Sequence, residues 1–160
     1  MRIASQFSVS APRDAVWEAL LEPSVLLESI PGCEDLQALD ETHFRARLVT
    51  SIAHIQFAAA IEATITERVP PERMSALIEG EDSSLASALR VDAVLILEAE
   101  QSSETVVSYT LDVALRGRLG RLGEPIFRRK SRDMEAEFAR RFRARLDSVT
   151  TAEGVSSQCE

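Results

Sequence analysis

Residues 117–149 read GRLGRLGEPIFRRKSRDMEAEFARRFRARLDSV, a segment in which three evenly spaced glycines precede a helical pattern. After Gly123 the apolar residues return about every 3.6 positions, which places them on one stripe of an α-helix. The stripe consists of Ile126, Met134, Phe138, Phe142, Leu146 and Val149. The pattern predicts a helix of about 25 to 29 residues, roughly 40 Å long. Such a helix needs a broad apolar surface to cover its stripe.

The residues before this helix carry the pattern of an antiparallel sheet that offers this surface. Between Cys33 and Arg116 apolar and polar residues alternate, and turn sequences separate the runs. This period of two is typical of half-buried strands, and residues 3–10 show it as well. The predicted inward residues are Phe44, Ala46 and Leu48; Ile55, Phe57, Ala59, Ile61 and Ile65; Met74, Ala76 and Ile78; Leu89, Val91, Ala93, Leu95 and Leu97; and Val107, Tyr109, Leu111, Val113 and Leu115. Residues 94–97 are apolar on both faces, which predicts a strand that is central or covered on its back.

Two short helices are predicted directly after the first strand. Pro12 lies in the first turn of one helix, where a missing N–H costs nothing, and Pro23 opens the other. Pro31-Gly32 ends the second helix. The apolar faces consist of Val16, Trp17, Leu20 and Leu21 in the first helix and of Leu26, Leu27 and Ile30 in the second. The whole order predicts an α+β fold of the helix-grip type, in which a curved antiparallel sheet wraps around the long C-terminal helix.

Length and composition favour one domain. The 160 residues contain no linker-like segment, so residues 1–149 are predicted to form a single domain and residues 150–160 a disordered tail. Hydrophobic residues make up 45% of the chain but aromatic residues only 5%, which predicts an aliphatic core. No secretory signal and no apolar run of about 18 residues are present, so a soluble cytoplasmic protein is expected.

Charge is unevenly distributed along the chain. Residues 116–145 carry ten Arg and one Lys against four acidic residues, a net charge of +7, whereas the remainder carries −15. One interpretation is a solvated helix face with internal ion pairs. The other is a docking surface for an acidic partner or an anionic membrane. Nucleic acid is not expected as a partner, because the acidic body repels phosphate and few aromatic residues accompany the arginines.

No catalytic or metal-binding motif is evident. Cys33 and Cys159 lack the neighbours of a zinc site, and His43 and His54 fall at predicted turns. The spacing of the glycines in residues 117–123 does not match a phosphate-binding loop and predicts a flexible lead into the last helix. Tyr109 is the one hydroxyl predicted to point inward. It either bonds a backbone carbonyl or holds the polar head of an apolar ligand.

Three motifs relate this pattern to a known family. They are F-x-V-x-A-P-x-x-x-V-W over residues 7–17, L-x-x-I-P-G-C-E-x-L over 27–36 and G-x-L-G-x-L-G over 117–123. Over residues 3–146 the chain resembles the CoxG family, named for the G subunit of carbon monoxide dehydrogenase, within the START-like (SRPBCC) superfamily. The resemblance implies no catalytic residues, a hydrophobic cavity, and an accessory role beside molybdenum hydroxylases of the carbon monoxide dehydrogenase type. It also implies a link to the inner face of the cell membrane, through an isoprenoid quinone held in the cavity.

Three hypotheses for function follow. The leading one is a non-catalytic binding module for a lipid or an isoprenoid quinone, with no covalently bound cofactor, that aids membrane recruitment of a molybdenum hydroxylase or its electron transfer. Its predicted lining residues are Leu27, Ile30, Phe57, Ile61, Leu95, Tyr109, Leu111, Met134 and Phe138. The second is a ligand-free assembly or recruitment factor that docks through the Arg-rich helix. The third is a START-like cyclase or hydrolase, which the small number of inward polar groups disfavours.

Overall fold

The computed structural model describes residues 1–101 and 103–159, with side chains described as far as Asp147. Over this part of the chain there are seven strands and three α-helices, joined in places by short 3-10 turns. The strands are β1 (Arg2–Val9), β2 (Cys33–Ala38), β3 (His43–Ile52), β4 (Ile55–Val69), β5 (Arg73–Asp82), β6 (Ser87–Gln101) and β7 (Glu104–Arg116). The helices are α1 (Arg13–Leu21), α2 (Pro23–Ser29) and α3 (Glu124–Cys159).

All seven strands form one antiparallel sheet in the order β1-β7-β6-β5-β4-β3-β2. The register places Tyr109 of β7 opposite Ser5 of β1 on one side and Leu95 of β6 on the other. All three side chains therefore face α3, as the alternating pattern predicted. The predicted helix-grip fold is confirmed, with both short helices directly after β1.

One end of the core forms where α3 packs beside α1 and the sheet. Phe142 is fully buried, and it lies in a cluster with Trp17, Val107 and Leu146. Trp17 is thus a core residue. Arg143 fastens the same part of α3 to β1, because its Nε donates to the Ser8 carbonyl at 2.9 Å.

A second cluster of buried apolar residues lies at the other end of the core, and it contradicts one prediction. Leu119, in the 3-10 turn Leu119–Arg121, is fully buried against Ile52, Phe57 and Ala59. Its backbone N–H lies 3.3 Å from the Ser87 hydroxyl, which accepts a hydrogen bond. The prediction of a flexible segment before α3 is wrong, because Leu119, which lies between Gly117 and Gly120, is buried against the sheet.

Gly32 fixes the start of β2 against β3. Its φ is +79°, a conformation that side chains with a Cβ rarely adopt. A Cβ at this position would lie 2.2 Å from the Val49 carbonyl oxygen, and the Val49 N–H donates to the Gly32 carbonyl at 2.8 Å. The Pro31-Gly32 turn therefore fixes the end of α2 next to β2 and β3, at one edge of the sheet.

The outer face of β6 is exposed. Val94 and Ile96 are 38% and 39% accessible, so the apolar segment 94–97 is central in the sheet without being covered on its back. Helix α3 exceeds the predicted length. Residues 150–159, which were predicted to belong to a disordered tail, continue this helix. Their side chains lie outside the described residues, and the domain boundary at residue 149 stays a prediction. None of the described helices is both long and apolar enough to span a bilayer.

Candidate ligand-binding cavity

The space between the sheet and the helices is not filled by side chains. A first cavity of about 370 Å³ lies between β1, β7 and α3, and a second of about 500 Å³ lies between α1, α2 and strands β3 to β6. Both volumes fall in the range of about 300–1,000 Å³ that is common for small-molecule sites. The two cavities are adjacent, because they share the lining residues Leu20, Ile30, Leu48, Leu89, Val91 and Leu95.

Small side chains leave the second cavity open. Ala46, Ala63, Ala76 and Ala93 line it from four neighbouring strands, where larger aliphatic residues would reach towards the helices. Its lining is almost wholly apolar, as is that of the first cavity. Transfer of apolar surface into such space stabilises a complex by about 25 cal/mol per Å².

Eight of the nine predicted site residues line this space. Ile30 and Leu95 border both cavities, and Ile61 borders the second. The first cavity is lined by Phe57, Tyr109, Leu111, Met134 and Phe138. The structure therefore brings these residues together, and their contact with a ligand stays a prediction.

Leu27 is the exception, and its predicted inward orientation is wrong. Its side chain is 38% exposed and lines neither cavity. At about 100° per residue, the inward face of α2 is centred between Val25 and Leu26, and Leu27 lies on the far side. Leu26 lines the second cavity instead.

The first cavity contains a polar pair that joins the sheet to α3. The hydroxyl of Tyr109 donates a short hydrogen bond to the Glu135 carboxylate. Burial, and then this hydrogen bond and the negative charge of Glu135, raise the pKa of Tyr109 well above its ordinary value of 10.0. The phenol is therefore held in its neutral form. The sequence pattern allowed a hydrogen bond from Tyr109 to a backbone carbonyl. The structure shows instead that its partner is the side chain of Glu135.

Glu135 was not predicted as a site residue, nor were Ser131 and Lys130, which also line the first cavity. A signal was present, because Ser131, Glu135, Phe138 and Phe142 follow the helical spacing of four, three and four residues. Glu135 and Ser131 thus fall on the apolar stripe itself. Only the apolar members of that stripe were predicted to face inward.

Other chemistry-bearing residues lie away from the pair. His43 is exposed and bonds Asp40 in the turn before β3, and His54 is exposed in the turn before β4. Cys33 borders the second cavity, where burial and the nearby Glu34 charge raise the pKa of its thiol. The side chain of Cys159 lies outside the described residues. Among those described, no group of three His, Cys, Asp or Glu side chains is placed to hold a metal ion.

The basic segment combines paired and unpaired arginines. Arg128 pairs with Glu124, Arg145 with Glu28, and Arg140 and Arg141 share Glu137. Within residues 116–145, the exposed arginines whose side chains make neither an ion pair nor a hydrogen bond among the described residues form what we term the basic rim: Arg116, Arg118, Arg121, Arg129 and Arg132. Arg129 and Arg132 lie next to the cavity-lining residues Lys130 and Ser131 in α3, whereas Arg116 lies with Arg90 on the outer face of the sheet.

A curved antiparallel sheet that grips a long helix around an apolar cavity defines a START-like protein. The family model for CoxG, the G subunit of carbon monoxide dehydrogenase, matches residues 5–147. The chain belongs to this family.

Solved structures share the fold at low sequence identity. A conserved protein from Geobacillus kaustophilus has a TM-score of 0.85 at 20% identity, over 92% of this chain and 96% of that one. A START superfamily protein from Mycobacterium smegmatis has a TM-score of 0.74 at 9% identity, over 92% and 98%. A protein from Chromobacterium violaceum has a TM-score of 0.68 at 14% identity, over 91% and 96%. No curated protein matches the chain.

Proposed function

We propose that this protein binds one apolar small molecule between the sheet and α3 and serves as an accessory protein. The observation that carries the proposal is the pair of adjacent apolar cavities, which contain one polar pair, Tyr109 and Glu135. Convergent polar groups in an otherwise apolar pocket are the usual arrangement for orienting such a ligand.

The ligand class that fits is a lipid or an isoprenoid quinone. Each has a long apolar part, which suits the second cavity, and a smaller head, which suits the first. Membership of the CoxG family supports an accessory role beside a molybdenum hydroxylase of the carbon monoxide dehydrogenase type. In this role the protein carries the ligand between that enzyme and the inner face of the membrane.

The polar groups favour binding over catalysis. Tyr109 has a raised pKa and stays protonated at neutral pH, so its phenol is a poor general base. Glu135 is the one carboxylate among the described residues that line the first cavity, and no histidine accompanies it. The cyclase or hydrolase hypothesis would have to rely on this one pair, in which the single proton of the phenol is already bonded to the carboxylate.

The test is extraction of the gently purified protein with organic solvent, followed by mass spectrometry for quinones and lipids. Leu95→Trp fills the wall shared by both cavities and is expected to abolish the co-purifying ligand. Val94→Trp is the matched control, since it makes a similar change on the exposed face of the same strand. Near one equivalent of ligand in wild type and Val94→Trp, and none in Leu95→Trp, supports the proposal. Empty wild-type protein that also fails to take up added quinone or lipid would refute it.

A second candidate function, recruitment to an anionic surface, is favoured by the basic rim. Its arginines are exposed and unpaired among the described residues, although the rest of the chain is strongly acidic. Because Arg129 and Arg132 adjoin the cavity-lining residues Lys130 and Ser131, docking through α3 would bring the first cavity near the membrane. The two functions are therefore compatible, and a ligand-free protein that still binds anionic vesicles would favour recruitment alone.

A further inference from the structure

Glu135 presents hydrogen-bond acceptors to an apolar cavity. A carboxylate has two oxygens and about four acceptor sites, and it cannot donate when ionised. Tyr109 uses one of these sites. Among the described residues no other side chain donates to Glu135, so acceptor sites remain for a ligand.

Tyr109 offers no hydrogen-bond donor to a ligand as long as its own hydrogen bond to Glu135 is intact. Its single hydroxyl proton already points at the carboxylate, and the remaining lone pairs of its oxygen are acceptors. Ser5 lies directly opposite Tyr109 on β1. A ligand that carries only carbonyl or ether oxygens meets acceptors at this pair and has to break the bond between Tyr109 and Glu135.

Lys130 is the one lysine or arginine among the described residues that line the first cavity. It lies five residues before Glu135, about 140° around the helix. No ion pair between Lys130 and Glu135 is present in the described structure. Its stem borders the cavity while its ammonium group can reach solvent, as lysine side chains at such edges commonly do.

We propose that the Glu135 carboxylate, set in place by Tyr109, selects neutral apolar ligands that end in an O–H donor, such as phenols, alcohols and hydroquinones. The inference rests on the proposed function and adds the chemical class of the head group. Applied to an isoprenoid quinone, it selects the reduced, hydroxyl-bearing form over the oxidised form, whose head carries only carbonyl acceptors. Hydrogen bonds to a charged acceptor are about twice as strong as neutral ones, so the preference is large enough to measure.

The experiment compares three probes with the same rings: naphthalene, 2-naphthol and 2-methoxynaphthalene, in which a methyl group caps the donor. Binding is measured by isothermal titration with wild type, Glu135→Gln and Asp133→Asn. Asp133→Asn is the matched control, because it removes the same charge from an exposed residue of α3 that lines neither cavity. Wild type is expected to bind 2-naphthol about tenfold more tightly than 2-methoxynaphthalene. The ratio should fall towards one in Glu135→Gln, whose amide also donates, and stay near ten in Asp133→Asn.

Naphthalene separates the possible failures. If wild type and Glu135→Gln bind naphthalene equally but wild type shows no preference for 2-naphthol, the inference about Glu135 is overturned while the cavity function stands. The inference is also overturned if Glu135→Gln, with naphthalene binding intact, keeps the wild-type ratio. If neither naphthalene nor 2-naphthol binds wild type, both the inference and the proposed binding function are overturned.

Discussion

Phe138 and Phe142 stack on each other one turn apart on α3, with ring centroids 5.4 Å apart and planes inclined by 14°, yet only Phe138 lines a cavity. Phe142 is fully buried in the cluster that holds Trp17 and Leu146. Phe138 contacts Phe7 edge-on at 6.1 Å between centroids and borders the open space. One stacked pair therefore joins the packed core to the cavity.

This arrangement predicts different effects for the two truncations. Phe142→Ala is expected to lower the free energy of unfolding by about 3–5 kcal/mol, because it leaves a hole in a closed core. Phe138→Ala should cost less stability, since its ring has fewer packing partners to lose, and should change affinity for an apolar probe. Urea denaturation and probe titration of both variants check the prediction. Equal losses of stability would contradict the assignment of Phe138 to the cavity wall.

Tyr109 is the single tyrosine of the chain, so its ionisation can be followed directly by tyrosinate absorbance. In the folded protein the titration is expected well above pH 10.0, since burial and Glu135 favour the neutral phenol. The stability that this shift contributes is fully present below the unfolded pKa of 10.0 and is lost as pH rises beyond it. Glu135→Gln should move the titration to lower pH, and Ser131→Ala should leave it unchanged. Ionisation of the folded wild type at its ordinary pKa would show that the pair does not form.

Gly32 and Gly123 form a natural comparison, with φ values of +79° and +89°. An alanine in this conformation costs roughly 1–2 kcal/mol at either position. At Gly32 the added Cβ also meets the Val49 carbonyl oxygen at 2.2 Å, whereas at Gly123 its nearest neighbour is 3.9 Å away. The clash should add about 1–3 kcal/mol to the cost of Gly32→Ala. Chemical denaturation of both variants tests this, and similar losses would mean that the turn before β2 can relax.

The strands and their inward faces could be predicted from sequence because a period of two depends on local alternation alone. Tyr109, Leu95 and Phe57 were all placed correctly in this way. The long helix was equally clear from its period, although its length was underestimated. Leu27 was misplaced because a helix of seven residues contains too few apolar positions to define its inward face.

The polar part of the site was harder to predict. Glu135 lies on the apolar stripe of α3, but a carboxylate there is expected to face water unless a partner is known. That partner, Tyr109, is 26 residues away on β7 and meets Glu135 only once α3 crosses the sheet. Likewise, the sequence did not distinguish the paired arginines from those of the basic rim, because Glu28, the partner of Arg145, lies on α2.

The basic rim gives the last prediction, which concerns membrane docking. Arg129 and Arg132 are exposed and unpaired among the described residues, so each is expected to contribute about 1 kcal/mol, or about fivefold in affinity, to binding of anionic vesicles. The double variant Arg129→Gln/Arg132→Gln should therefore lose about 25-fold in binding to phosphatidylglycerol vesicles in a sedimentation assay. Arg140→Gln/Arg141→Gln removes the same net charge from arginines that already share Glu137, and it should lose much less. Wild-type binding should weaken as salt shortens the Debye length, which is about 10 Å at 0.1 M. Equal losses in the two double variants would show that net charge, and not the basic rim, governs association.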